Sequence, residues 1–156
     1  MKKIAISALL IVTLLVLTSC QMSRTAITAD EFKSKAEAAG FTIQDSKDQF
    51  EDGLVADYLI AFKGDVSAID YKIEFLVLPT VDDAKVSYNQ NQTAIEAKKG
   101  NFSSYSSLSL GNYSVYTQTS NGKYSIVSRT DNTLVYIDAD EKYKGEISEF
   151  LKTIGY

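Results

Sequence analysis

The sequence predicts an α+β domain: an antiparallel sheet of about seven strands with helices packed on it, in the order α-β-β-β-α-β-β-β-β-α. Three observations carry this. Helix-start chemistry recurs at Thr28-Ala29-Asp30-Glu31, at Thr80-Val81-Asp82-Asp83 and near Asp140-Glu141. Alternating apolar and polar residues fill the intervals between these starts. Four of the strands are joined by Gly111-Asn112, Asn121-Gly122 and Asp131-Asn132, links too short for parallel crossovers, so they form an antiparallel meander.

In chain order, Thr28 caps the first helix, and Glu31 stands three residues on as in a capping box. Phe32, Ala36 and Ala39 share one face, and Gly40 ends the helix. Phe41 to Asp45 reads as a short strand. After the Glu51-Asp52-Gly53 turn, Leu54, Ala56, Tyr58, Ile60 and Phe62 alternate along a second strand, which turns at Lys63-Gly64-Asp65. Ile69, Tyr71, Ile73, Phe75 and Val77 alternate with Asp70, Lys72 and Glu74 as a half-buried third strand, stopped by Pro79.

The second helix is expected to run to about Lys99 with Val81, Ala84, Tyr88 and Ile95 inward. Its middle, Asn89 to Gln92, is unusually polar. Strands follow at about Phe102–Leu110, Tyr113–Thr119, Lys123–Arg129 and Thr133–Asp138. Tyr143, Ile147, Phe150, Leu151 and Ile154 make the apolar stripe of the last helix. The likeness of the three helix starts has two readings: a duplicated helix-plus-meander unit, or the same capping residues chosen independently.

The first residues divide differently. Lys2 and Lys3 precede an almost wholly apolar run from Ile4 to Leu17, which is too short for a spanning helix and reads as an export signal. Leu17-Thr18-Ser19-Cys20 ends the run and resembles the bacterial lipobox. The resemblance implies a signal peptide over 1–19, cleaved by a peptidase of the signal peptidase II type. It also implies Cys20 as a lipid-bearing N-terminus on the extracytoplasmic face of the cell membrane, where two or more acyl chains hold firmly. The chain looks like one of the small lipoproteins of the Gram-positive envelope. Residues 20–27 then form the lipidated cysteine and a polar tether reaching at most about 25 Å, and 28–156 form a single domain.

Composition narrows function. Removing Lys2 and Lys3 from the 16 basic residues leaves 14 against 20 acidic ones, a net charge of −6. That balance disfavours nucleic acid and adhesion of the domain to anionic lipid, so the expected membrane contact is the lipid itself. Cys20 is the only cysteine, and histidine is absent. Disulfides, Cys–His and Ser–His nucleophile pairs, and zinc or haem sites built on those residues are thereby excluded. No cofactor or metal is expected.

Other candidates for chemistry have ordinary explanations. Ser120-Asn121-Gly122-Lys123 has Ser-x-x-Lys spacing, but Asn121-Gly122 marks a hairpin turn and the companion motifs are missing. Asp138, Asp140 and Glu141 cluster where a strand meets a helix, suited to capping and only weakly to calcium. Asp48, Glu51 and Asp52 lie in a loop without the defined separation that carboxylate hydrolysis requires. The chain has ten tyrosines and no tryptophan. Tyr105, Tyr113, Tyr116, Tyr124 and Tyr136 are interleaved with Ser and Thr in the meander, a composition suited to an adaptable recognition face. Because Tyr113 and Tyr116 fall on opposite faces of one strand, one set must be exposed or covered by a helix.

The expectation is a non-enzymatic, membrane-anchored envelope module that binds a protein, peptide or glycan through its sheet. The alternative is a carboxylate-based hydrolase or a calcium-dependent module.

Overall fold

A computed structural model describes residues 23–65 and 68–156. The expected signal peptide and Cys20 lie outside the described residues. The chain forms α1 (Ala29–Ala38), β1 (Thr42–Asp45), β2 (Asp57–Asp65), β3 (Ala68–Val77), α2 (Val81–Glu96), β4 (Ser103–Leu110), β5 (Tyr113–Ser120), β6 (Lys123–Thr130), β7 (Thr133–Asp140) and α3 (Lys144–Ile154). The strands make one antiparallel sheet in the order β1-β2-β3-β7-β6-β5-β4.

The helices occupy both faces of this sheet. On one face, Phe32 and Ala36 of α1 and Ile147, Phe150, Leu151 and Ile154 of α3 pack on Leu59, Ile73, Phe75, Ile126 and Ile137. On the other, Ala84, Tyr88 and Ile95 of α2 pack on Tyr58, Ile60, Tyr116, Val127 and Leu134. Successive strand residues point to opposite faces, so β2, β6 and β7 feed both cores.

Local chemistry accounts for the boundaries. Thr28 Oγ1 accepts from the Glu31 amide at 3.2 Å while a Glu31 carboxylate oxygen accepts from the Thr28 amide at 2.8 Å, closing a capping box. Thr80 Oγ1 likewise accepts from the Asp83 amide at 3.1 Å. Asn121 and Gly122 adopt φ of 53° and 73°, as a two-residue hairpin loop between right-twisted strands requires. The same left-handed conformation recurs at Gly111 and Asp131 in the neighbouring hairpins.

Several expectations are corrected. β2 continues through Lys63-Gly64-Asp65, with a register irregularity between Lys63 and Gly64, so no turn lies there. Leu54 precedes β2 and is exposed, whereas Tyr58 to Ala61 are buried on both faces because helices cover both. Val81 and Ile69 are exposed, and Ala39 is the exposed C-cap of α1 rather than part of its buried face. α2 stops at Glu96, short of Lys99. α3 is preceded by a 3-10 turn at Glu141–Tyr143.

The sheet order is symmetric about β7, with β1-β2-β3 on one side answered by β4-β5-β6 on the other, and a two-fold along β7 that exchanges them also exchanges the faces carrying α1 and α2. This layout does not separate the duplicated unit from independent choice of the same capping residues.

Candidate functional site

The five meander tyrosines do not form one surface. Tyr105, on the outer strand β4, is 64% exposed, with Lys99 Nζ 4.2 Å above its ring. Tyr113, Tyr116 and Tyr124 are buried, and Tyr136 is half-buried. The face of β5 that carries Tyr116 lies in the α2 core. The face carrying Tyr113 is covered at its end by the N-terminal segment, whose Arg24 guanidinium stands 4.1 Å over the Tyr113 ring. Tyr124 belongs to the core under α1 and α3. The expected recognition face is thus closed at all but Tyr105, because helices and the N-terminal segment cover what the strand pattern left open.

The other sequence candidates are held by local partners. Ser120 Oγ accepts from the Gly100 amide at 2.8 Å, while Lys123 Nζ sits 2.6 Å from Asp140. Asp138 accepts from Lys98 Nζ at 2.5 Å and from Ser125 Oγ at 3.1 Å. The contact with Lys123 holds the Asp140 carboxyl below its ordinary value, and Asp140 in turn raises Lys123. Asp48, Glu51 and Asp52 are exposed before β2.

A different site emerges between α2 and the β4–β6 side of the sheet. Strand register aligns Ser109 of β4, Ser114 of β5, Arg129 of β6 and Leu134 of β7 in one row on the α2 face. The next row, Ser107, Tyr116, Val127 and Tyr136, lies beside it. α2 packs against the apolar ends of these rows. Toward β4 the rows turn polar, and Lys85, Tyr88, Asn89 and Gln92 of α2 face them across a groove of about 420 Å³ that reaches Gly111. Ligand sites commonly span roughly 300–1,000 Å³.

Arg129 is the unusual member. Its side chain lines this groove, yet the residue is only 4% exposed. Among the described residues, the guanidinium's hydrogen bond is from Nη1 to the Asp131 carbonyl at 3.0 Å, and Nε has no partner. No carboxylate of the described residues pairs with it. The nearby acids are engaged elsewhere: Asp131 accepts from Asn112, Asp82 holds Lys85 at 2.8 Å, and Glu96 accepts from Gln92. A buried cation without a counter-charge costs several kcal/mol, and native folds rarely leave such donors unmatched. Burial lifts the Tyr88 phenol above its ordinary value, while the Ser107 hydroxyl and the Arg129 cation pull it back.

The floor of the groove is otherwise neutral and rich in donors and acceptors. Ser109 and Ser114 hydroxyls share a hydrogen bond of 2.8 Å. By contrast, a hollow under the first turns of α2 is lined largely by apolar side chains such as Leu54, Val55, Leu76 and Val86. Sequence reasoning missed Arg129, although two signals pointed at it. It is one of two arginines in a lysine-rich chain, and the polar middle of α2 supplies its opposite wall.

The groove also lies beside the chain's entry into the domain. The Arg24 amide donates to Asn112 Oδ1 at 3.0 Å and Asn112 Nδ2 donates to the Arg24 carbonyl at 2.7 Å, fixing the N-terminal segment to the β4–β5 turn. Ile27 is buried as well, so the domain holds the chain from Arg24 onward.

No protein-family model, curated protein or solved structure matches the chain.

Proposed function

We propose that this chain is a lipid-anchored envelope module that binds its partner non-enzymatically, through the polar groove between α2 and the β4–β6 side of the sheet. The observation that carries the binding half is Arg129, a buried guanidinium without a carboxylate partner among the described residues, lining a groove open to solvent. The anchor half rests on the apolar run that ends at Leu17-Thr18-Ser19-Cys20. From Arg24 back to Cys20, four extended residues reach about 14 Å at most. Lipid on Cys20 therefore keeps the β4–β5 turn, and the Gly111 end of the groove, close to the bilayer.

The fold order and packing fit this role. α2 covers the apolar half of its sheet face and leaves the polar half as a recognition wall. The lysines on Asp138 and Asp140 count against the hydrolase or calcium alternative, since each occupies a carboxylate oxygen a water or metal would need.

Two measurements test the reading. Cys20→Ser is expected to release the protein from membranes or to leave an unprocessed precursor; unchanged processing and lipid labelling would remove the anchor. A photo-crosslinking residue at Asn89, on the groove wall, is expected to capture an envelope component that the same residue at Lys33, on α1, does not. Equal capture at both positions refutes the groove as the binding surface.

A further inference from the structure

The chemistry of the groove narrows its ligand, on the reading that the groove is the binding surface. Arg129 brings a planar guanidinium to the wall of the groove, its Nε enclosed and without a partner, and such a group suits the oxygens of a carboxylate or phosphate. The guanidinium is fixed in place, because Nη1 is tied to the Asp131 carbonyl and the side chain is packed within the sheet face. Little side-chain entropy is therefore lost on binding. Around it stand amides and hydroxyls: Asn89 and Gln92 on the helix wall, Ser107 and Ser109 on the strand wall, and the Tyr88 phenol between them. These groups both donate and accept, which suits ligand hydroxyls. The lining is more polar than apolar, which favours such a ligand over a greasy one or a lipid tail.

We propose that the groove binds an oxyanion carried on a hydroxyl-rich molecule, an acidic sugar or a sugar or polyol phosphate, with Arg129 as the anion anchor. Lys85 stands at the rim, where its pairing with Asp82 is exposed and exchangeable, and adds attraction at longer range. The net charge of the domain is unfavourable to anions as a whole, so recognition depends on this local guanidinium rather than on the surface field. Affinity for the bare anion is accordingly modest and falls with salt.

The test uses the full chain in neutral detergent, with the Arg129 Nε–H and backbone amides followed by NMR. Four probes are titrated separately: inorganic phosphate, glycerol 3-phosphate, glucuronate and neutral glucose. Saturable shifts at Arg129 Nε–H, Ser107 and Ser109 with an anionic probe, and none with glucose, support the proposal. A response to the phosphates alone or to glucuronate alone supports it and decides the source of the oxyanion. Arg129→Met is expected to weaken binding about tenfold to a hundredfold, the worth of a charge-assisted hydrogen bond. Asn89→Ala, at an exposed helix position that does not threaten folding, is expected to weaken glycerol 3-phosphate severalfold and to spare inorganic phosphate. No saturable shift with any anion, equal response to glucose, or shifts confined to surface lysines overturns the proposal. If Arg129→Met does not fold, the wild-type Nε–H response still decides. Crosslinking at Asn89 can succeed while this titration fails, which would retire the oxyanion and leave the binding module standing.

Discussion

Replacing Gln118 by Leu isolates the polar link that ties α2 to the sheet. Gln118 is 2% exposed; its Nε2 donates to the Ile95 carbonyl at 2.8 Å, and its Oε1 accepts from the Tyr116 hydroxyl at 3.0 Å. Leucine preserves most of the volume, so the cavity contribution is small. The Ile95 carbonyl keeps a second donor, the Lys98 amide at 3.0 Å, and loses little. The Tyr116 hydroxyl loses its one hydrogen-bond partner among the described residues, in a side chain only 1% exposed. Stranding a buried hydroxyl costs about 1–3 kcal/mol, so Gln118→Leu is expected to destabilise by about 2 kcal/mol. Tyr116→Phe alone strands Gln118 Oε1 and costs about 1 kcal/mol. Together the two changes remove donor and acceptor at once, and the double variant is expected within about 1 kcal/mol of wild type. Urea unfolding of all four proteins, read by tyrosine near-UV circular dichroism, measures the cycle. Strict additivity, or a Gln118→Leu variant within about 0.5 kcal/mol of wild type, refutes the reasoning.

Two further perturbations probe other parts of the fold. Phe32 is fully buried, stacked on Phe75 at 4.5 Å and edge-on to Phe150 at 6.2 Å; Phe32→Ala is expected to cost about 3–5 kcal/mol in urea unfolding, whereas Phe102→Ser, at a residue 92% exposed, stays within about 0.5 kcal/mol. Hydrogen bonds from the Thr28 amide and hydroxyl hold the Glu31 carboxyl below its ordinary value of 4.5. A depressed folded-state value adds stability above the unfolded one and loses it as pH falls through the folded one, so the gap between wild type and Glu31→Gln is expected at neutral pH and closes on acidification. A gap that widens toward acid contradicts the capping box as its source.

The meander was legible in the sequence because its turns are chemically explicit. Asn121-Gly122 tolerates the positive φ that a two-residue loop needs, and no other local structure competes for that pair. The stripe of α3 was legible for a similar reason: Ile147, Phe150, Leu151 and Ile154 have no face to turn to except a core. Coverage of the sheet was not legible. Alternation along β5 says that Tyr113 and Tyr116 face opposite ways, but nothing in those residues says that helices lie on both sides. The same gap explains Leu54, Val81 and Ile69, apolar residues at the ends of periodic segments that run past the elements covering them. Arg129 was hidden because a strand arginine ordinarily reaches solvent. Its burial depends on α2, which joins the site from more than thirty residues away in sequence.

The polar half of the groove is a local conflict with the fold around it. α2 spans Val81–Glu96 and could bury an apolar stripe along its whole length, as it does at Ala84, Tyr88 and Ile95. At Asn89 and Gln92 it presents amides instead, residues that are weaker helix formers than alanine. The strands beneath repeat the choice with Ser107, Ser109, Ser114 and Arg129 on the side facing the helix. Each substitution forgoes burial worth about 25 cal/mol per Å² of apolar surface, and Arg129 adds the desolvation of a charge. Stability alone does not account for four separate elements making the same unfavourable choice at one place. Consistency across levels is the ordinary condition of a folded sequence, and coordinated departures from it mark where function is held. Buried polar residues farther along the same face are matched, Gln118 by the Ile95 carbonyl and Ser120 by the Gly100 amide. The groove instead holds a guanidinium without a carboxylate among the described residues, which is why the proposed binding surface is placed there and not on the tyrosines.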